Sequence, residues 1–279
     1  MGGQLVKVFK ADKKYEVIAW DREEIDITDK ELVFKKIKEL KPDIIINAAA
    51  YNAVDKCEED EKEFELAKKI NAEAVGYLVE ACLETGAVLV QYSSDYVFAG
   101  DKKEGYKEDD EAKPVNKYGE TKLAGEEEVI KKSGQGLKYY LIRTSKLFGP
   151  KAESEGAKPS FFDLMLEQAK KKKELDVVNE EVSGFTYTPD LARATKKLLE
   201  SDKGYGVYHI TNVGRATWYE AAVELFKIVG KKIKINPVTA AKFPRPAKRP
   251  AYSVLVNTKF EMQRDWKDAL REYLKKNGK

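Results

Sequence analysis

The sequence predicts an α/β protein built on a doubly wound parallel sheet, with a smaller, mainly helical lobe after it. Three observations predict this. Short apolar, β-rich runs recur at 15–20, 43–50, 87–94, 139–145, 175–178 and 206–211. Several are almost continuously apolar, as strands buried on both faces are. Helical patterns separate most of them, the alternation that sets parallel strands side by side.

The first run, YEVIAW (15–20), reads as a strand. The helix LVFKKIKEL follows it, with Thr28 and Glu31 at capping-box spacing. DIIINAAA (43–50) is the next strand, and apolar residues at helical intervals over Glu65–Cys82 form a helix that Gly86 stops. AVLVQYSS and YYLIRTS are strands on either side of a helix carrying KYGETK. Beyond Gly149 the rhythm loosens. KAESEGAKPS (151–160) is a polar loop, SFFDLMLEQAKKKKE a helix, and TPDLARATKKLLES a helix entered through Thr-Pro-Asp. The tail holds a helix in ATWYEAAVELFKIVG, a proline-rich loop KFPRPAKRP and a last helix in RDWKDALREYLKK. Residues 1–149 thus read as a core of the dinucleotide-binding type and 150–279 mainly as the smaller lobe. The runs near 175–178 and 206–211 are candidates to return to the core sheet.

Composition excludes several classes. Lys+Arg is 51 against Asp+Glu 48, a net charge of +3, which supplies no general attraction to nucleic acid or to a membrane surface. Cys57 and Cys82 lack metal-ligand spacing and cannot build a disulfide framework, which suits a reducing cytosol. The sole histidine, His209, sits in the apolar run YGVYHIT as a packed strand residue, so histidine-based metal or triad chemistry is not expected. No signal peptide is visible, and no apolar stretch approaches the ~20 residues that span a bilayer. The sequence reads as a cytoplasmic protein.

The chemistry centres on Tyr118 and Lys122. Four residues apart on a helix, they share a face. A tyrosine of ordinary pKa, about 10, is a sluggish acid–base group at neutral pH. A neighbouring cation favours the phenolate and brings proton exchange closer to the working range. Chance alone would supply about two such pairs in a chain of this composition, and the sequence holds one, so the surroundings decide. Upstream, AVLVQY runs into SSDYVFAG, which places Ser93, Ser94, Asp95 and Tyr96 at a strand's carboxyl end, where open α/β sheets bind ligands. A serine hydroxyl there can hydrogen-bond a carbonyl while the tyrosine donates a proton; the plainer reading is that Ser94 caps a turn. In NAAAYNAVDKCE, Asn47 and three alanines end a strand and leave room for a flat cofactor, although small residues there also permit simple helix packing. Asn71 alone reads as a structural polar residue.

Together, NAAAYNAVDKCE, NAEAVGYLVEAC, SSDYVFAG, KYGETKLAGE, TYTPDLAR, ATWYEAA and FPRPAKRPAYSVL resemble the dTDP-4-dehydrorhamnose reductase family, a branch of the extended short-chain dehydrogenases. The resemblance covers nearly the whole chain from about Tyr15. It implies a Rossmann-like core and reduction of the keto group at carbon 4 of a dTDP-6-deoxyhexose by NADH or NADPH, giving dTDP-L-rhamnose. It implies that Tyr118 protonates the emerging oxyanion and that Ser94, usually threonine in the family, hydrogen-bonds it. Lys122 would bind the nicotinamide ribose and bias the Tyr118 pKa. Ala48, Ala49 and Tyr51 would line the cofactor, with Asp26 and Ile27 near the adenine, and Asp95 and Tyr96 would join the substrate site. Arg249 reads either as a contact to the substrate diphosphate or as structural. Asp21 would suit a ribose hydroxyl and Arg22 a 2′-phosphate, so NADH and NADPH both stand. A homodimer is the assembly the resemblance implies.

Related chemistries fit less well. A nucleotide-sugar dehydratase typically has an acidic pair after its serine or threonine, whereas here Asp95 is followed by Tyr96. Epimerases usually lack the DYVF pattern.

The chain also departs from the family. Gly3, Gln4 and Leu5 match the end of its phosphate loop, but the preceding strand is absent and Val6 replaces a glycine. That strand would be central, and unpaired buried backbone groups cost ~1–3 kcal/mol each. Three expectations follow: a start further upstream, closure of the gap by neighbouring strands, or filling of it by LVKVF (5–9). Lys146 stands where a tryptophan is common, Glu181 and Phe185 replace a usual glutamine and proline, and the segment between Lys259 and Asp265 is short. These changes bear on the identity of the sugar. The degraded loop also leaves a non-catalytic binding or regulatory subunit as the rival to an enzyme.

Overall fold

The computed structural model describes residues 1–151 and 159–278; the loop expected at 151–160 lies mostly outside them. Helix α1 (Gly2–Lys10) opens the chain, followed by α2 (Lys30–Leu40), β1 (Ile44–Asn47), α3 (Val54–Glu59) and α4 (Glu61–Lys68). A π-helical turn, Lys69–Glu73, joins α4 to α5 (Ala74–Thr85). Strand β2 (Val88–Ser94), α6 (Lys117–Ile130) and β3 (Tyr139–Thr144) complete the first half. The second half contains β4 (Leu147–Phe148), α7 (Phe161–Lys171), β5 (Glu174–Val178), β6 (Thr186–Tyr187) and α8 (Thr188–Leu199). It ends with β7 (Gly206–His209), α9 (Trp218–Ile228), β8 (Lys234–Val238) and α10 (Trp266–Lys276).

The main sheet has the order β1-β2-β3-β7 and is parallel throughout, with Ile44 opposite Val88, Leu89 opposite Tyr139, and Tyr140 opposite Gly206. The two-residue period of the strands sorts their side chains between two layers. Leu89 and Leu141 meet Val33 and Ile37 of α2, Val79 of α5 and Val129 of α6. Val90, Tyr140 and Ile142 meet Leu191 and Leu198 of α8 on the opposite face. This is the doubly wound layering expected. Gly86 ends α5 in the left-handed conformation at φ 78°, and His209 is a fully buried strand residue whose pKa burial lowers to about 4.

Several expectations are corrected. Residues 15–20 form no strand. The sheet ends at β1, so the apolar YEVIAW run pairs with no strand among the described residues, and Ile18 and Trp20 stand exposed. Neighbouring strands therefore do not close the gap, and LVKVF does not fill it, because it is helical. Leu5 and Phe9, one turn apart, point the apolar face of α1 at Ala192, Ile46 and Tyr92, while Lys7 is exposed. Asp29, not Thr28, caps α2 by accepting the Leu32 N–H at 3.0 Å; Thr28 Oγ1 instead donates to Asp26 at 2.7 Å. Strand β7 returns to the core sheet, but β5 pairs with β8 in a separate parallel pair. That pair packs with α7, α9 and α10 around Phe162, Leu225, Trp266 and Tyr273.

What sets the position of α6 is close approach. An added Cβ at Gly125 would run into the carbonyl oxygen of Asn71 in the π turn, and one at Gly119 into that of Tyr96. The buried ion pair between Arg143 and Glu126 (2.6 Å) ties α6 to β3 behind them.

At an unconstrained helical site, alanine in place of glycine is favourable by roughly 0.5–1 kcal/mol. Gly125→Ala is expected to reverse that sign and cost about 2 kcal/mol, because two backbones must part. Urea unfolding checks this, and an unchanged or higher midpoint would contradict the packing described.

Candidate active site

Strand β2 ends at Ser94, and a 3-10 turn, Asp95–Val97, carries the chain away from the sheet. Helix α6 begins beside it. Asn116 caps the helix by accepting the Gly119 N–H at 2.8 Å, and its amide donates to Lys248 O. Tyr118 therefore lies in the first turn and Lys122 one turn later, both buried on the sheet-facing side. The Tyr118 ring meets Tyr96 edge-on at 5.6 Å, and its hydroxyl donates to Asn52 Oδ1 at 3.2 Å. Lys122 Nζ donates to the carbonyl of Tyr92 at 2.9 Å.

Burial dominates the electrostatics. It raises the Tyr118 phenol above its ordinary pKa, Asp95 and Tyr96 adding to the rise while the nearby Ser94 hydroxyl opposes it. The expected lowering by Lys122 is thus overridden: desolvation of the phenolate outweighs any effect of the ammonium one turn away. Lys122 itself is pushed down to about 8 by burial, against the pull of Glu126.

Asn71, read from sequence as structural, lies on the π turn and joins three elements. Its Oδ1 accepts the Tyr51 N–H, and its Nδ2 donates to Tyr51 O and to Thr121 Oγ1, each at 3.0 Å. π turns cluster at functional sites, and this one locks the segment after β1 against α6. The available signal was a polar residue inside an otherwise buried helical pattern.

The other expected residues divide. Ala48 and Ala49 follow β1, and a Cβ on Gly2 would lie 3.9 Å from that of Ala48, so the helix N-terminus borders the strand end. Space around Gly3 is open. Gln4 and Leu5 do not present loop amides: both N–H groups bond to Met1 O within α1, and the Leu5 side chain is core. Tyr51 borders Tyr118, but its hydroxyl is bound to Glu63. Asp26 binds Thr28 and Ile27 packs on the α2–α5 layer, neither on a sheet strand. Asp95 is buried behind Ser94 rather than open to the cleft. Arg249 is held by Asp55 at 2.8 Å and lies 5.9 Å from the Tyr96 ring.

Beyond Tyr96 a cavity of about 360 Å³ is lined by Glu181, Arg245, Lys248 and Arg249. The three family departures meet at its edge. Lys146, in the left-handed conformation at φ 36°, places Nζ 4.0 Å from the Trp218 ring and 5.2 Å from that of Phe185, and donates to Glu181 O. The Glu181 carboxylate pairs with Arg245 and accepts Trp218 Nε1–H.

The residues at the reacting end fit a nicotinamide nucleotide. Lys122 is a buried ammonium with one hydrogen bond to the described residues, leaving N–H groups for ribose hydroxyls. Small residues, Gly2, Gly3, Ala48 and Ala49, line the adjoining strand end. A doubly wound parallel sheet with a strand-terminal serine facing a buried tyrosine–lysine pair defines a protein of the short-chain oxidoreductase class.

Residues 1–278 match the family described as RmlD substrate binding domain. The chain is 36% identical to a dTDP-4-dehydrorhamnose reductase of Aggregatibacter actinomycetemcomitans, over 97% of this chain and 94% of that one. A crystal structure of a Clostridium acetobutylicum dTDP-4-dehydrorhamnose reductase superposes with a TM-score of 0.91 at 41% identity, covering 100% of this chain and 96% of the other. A Bacillus anthracis dTDP-4-dehydrorhamnose reductase in complex with NADP gives 0.88 at 33% identity, covering 99% and 96%. The chain belongs to the RmlD family, whose relatives carry the name dTDP-4-dehydrorhamnose reductase.

Lys122 is expected to titrate near pH 8 and Lys146 near 7, against about 10.4 for an ordinary lysine. Carbon-13 NMR of the ε-methylenes, assigned with Lys122→Met and Lys146→Met, checks this. Midpoints near 10 for both would show that neither amine is desolvated.

Proposed function

We propose that the protein uses NADPH or NADH to reduce the 4-keto group of dTDP-4-dehydro-6-deoxy-L-mannose, giving dTDP-L-rhamnose. The observation that carries this reading is the meeting of Ser94 and Tyr118 at the carboxyl end of the sheet, with the phenol buried and its pKa raised. The phenol holds its proton at neutral pH, as a donor to a developing alkoxide must, although burial moves its pKa away from the working range. Ser94 is half-exposed at the cleft and offers its hydroxyl to the same oxygen. The nicotinamide, when bound, supplies the hydride.

Lys122 would hold the nicotinamide ribose through its remaining N–H groups. Arg245 and Arg249 line the cavity beyond Tyr96, which supports a diphosphate held there by charge-assisted hydrogen bonds. Arg249 would do so while paired to Asp55, so its two readings combine. Lys146, Trp218 and Glu181 then surround the sugar end. The reading includes a cytoplasmic homodimer, as the family resemblance implies.

Turnover of dTDP-4-dehydrorhamnose, followed by loss of NADPH absorbance, tests the proposal. Tyr118→Phe is expected to lower kcat about 1,000-fold, since a positioned proton donor contributes 10²–10⁴. KM should change little. Failure of pure protein to bind NADPH at millimolar concentration in a fluorescence titration would overturn it.

A further inference from the structure

Ser94 is asked to donate its only proton to the reacting oxygen, and its surroundings compete for that proton. Its Oγ accepts the Tyr96 N–H at 3.1 Å and lies 3.1 Å from Asp95 Oδ1. Were Asp95 ionised, Oδ1 could only accept. The Ser94 proton would then point into the carboxylate, and a lone pair would face an oxygen that becomes negative as the carbonyl is reduced. Such an arrangement repels the charge it should stabilise.

The other carboxylate oxygen is already served. Asp95 Oδ2 accepts from Ser183 Oγ at 3.0 Å and from Ser253 Oγ at 2.6 Å, hydroxyls contributed by two separate loops of the second half. Asp95 is 2% exposed, and no cation among the described residues reaches ion-pairing distance of it. We propose that Asp95 is a neutral carboxylic acid that positions Ser94: Asp95 Oδ1–H donates to Ser94 Oγ, which turns the Ser94 proton toward the substrate oxygen. Every polar atom is then satisfied. Ser94 accepts twice and donates once, and Oδ2 accepts from both remaining serines. The inference rests on the reductase reading and assigns Asp95 a role behind the serine rather than at the substrate.

The charged and titratable groups facing Asp95 are Lys146, on the segment after β3, Tyr118 on α6 and Tyr96 on its own turn. Burial raises the Asp95 pKa, while the three serines and the positive charge of Lys146 oppose the rise. Isolated carboxyl groups in such surroundings neutralise rather than pay full ionic desolvation.

Infrared difference spectroscopy between the wild-type protein and Asp95→Asn tests this without turnover. The wild type is expected to show the carbonyl stretch of a protonated carboxylic acid at neutral pH, absent from the variant. Ser94→Ala should shift that band, because the acid loses its acceptor. Lys146→Met should move the pH at which the band disappears upward. Loss of a carboxylate band instead would overturn the proposal, as would a band indifferent to Ser94→Ala. In turnover, Asp95→Asn can still donate an N–H to Ser94 and is expected to lose less than tenfold in kcat, whereas Ser94→Ala loses about 100-fold. An equal loss in both overturns the proposal. Wild-type protein that does not turn over would sink the reductase reading alone and leave the infrared result to judge Asp95.

Discussion

The site depends on one constraint: α6 must lie against the π turn and the end of β2 at backbone contact. Gly119 under the Tyr96 carbonyl and Gly125 under that of Asn71 allow this. Only then does a side chain of tyrosine length reach from the first turn of α6 to the neighbourhood of Ser94. The same approach lets Lys122 find the Tyr92 carbonyl. Asn71 binds Tyr51 and Thr121 simultaneously, so it ties the segment after β1, the α4–α5 run and α6 together. Rigidity of this kind lets a phenol act on one particular oxygen.

Close packing has an electrostatic consequence. Desolvation is the largest influence on Tyr118, Asp95, Lys122 and Lys146 alike, and it moves each toward its neutral form: the acids rise and the amines fall. Burial thus favours the protonated forms of Tyr118 and Asp95, while Lys122, at about 8, stays largely an ammonium at neutral pH. A cation without a fixed anion beside the reacting oxygen suits an oxygen that acquires negative charge. The tyrosine–lysine pair is better described by shared burial than by direct pKa lowering of one by the other.

The sheet core was legible because its strands are apolar on both faces and its helices are punctuated by residues such as Gly86. Ser94, Tyr118 and Lys122 were legible as residue types at a strand end and on one helix face. YEVIAW was misread because a strand's existence depends on a partner, which a short β-rich run does not reveal. MGGQL was ambiguous because glycines before an apolar run suit a phosphate loop and the first turn of a helix equally; the four-residue interval from Leu5 to Phe9 was the helical signal. Thr28 and Asp29 are adjacent potential caps, and only backbone geometry chooses between them. Asn71 had no special spacing, so its bridging role emerged only when Tyr51 and Thr121 were placed beside it.

The sugar end shows why single departures were hard to interpret. Lys146, Glu181 and Phe185 are far apart in sequence, and each alone looks like drift. In the fold they form one cluster with Trp218 and Arg245: an ammonium against two aromatic rings, a carboxylate bonded to a guanidinium and an indole N–H. Placing Lys146 there without Glu181 would crowd two cations with no anion between them, and Glu181 without Arg245 would leave a nearly buried carboxylate unpaired. The replacements are therefore mutually dependent. The three departures thus build one polar wall at the cavity edge, whose ring faces come from Phe185 and from Trp218 on α9.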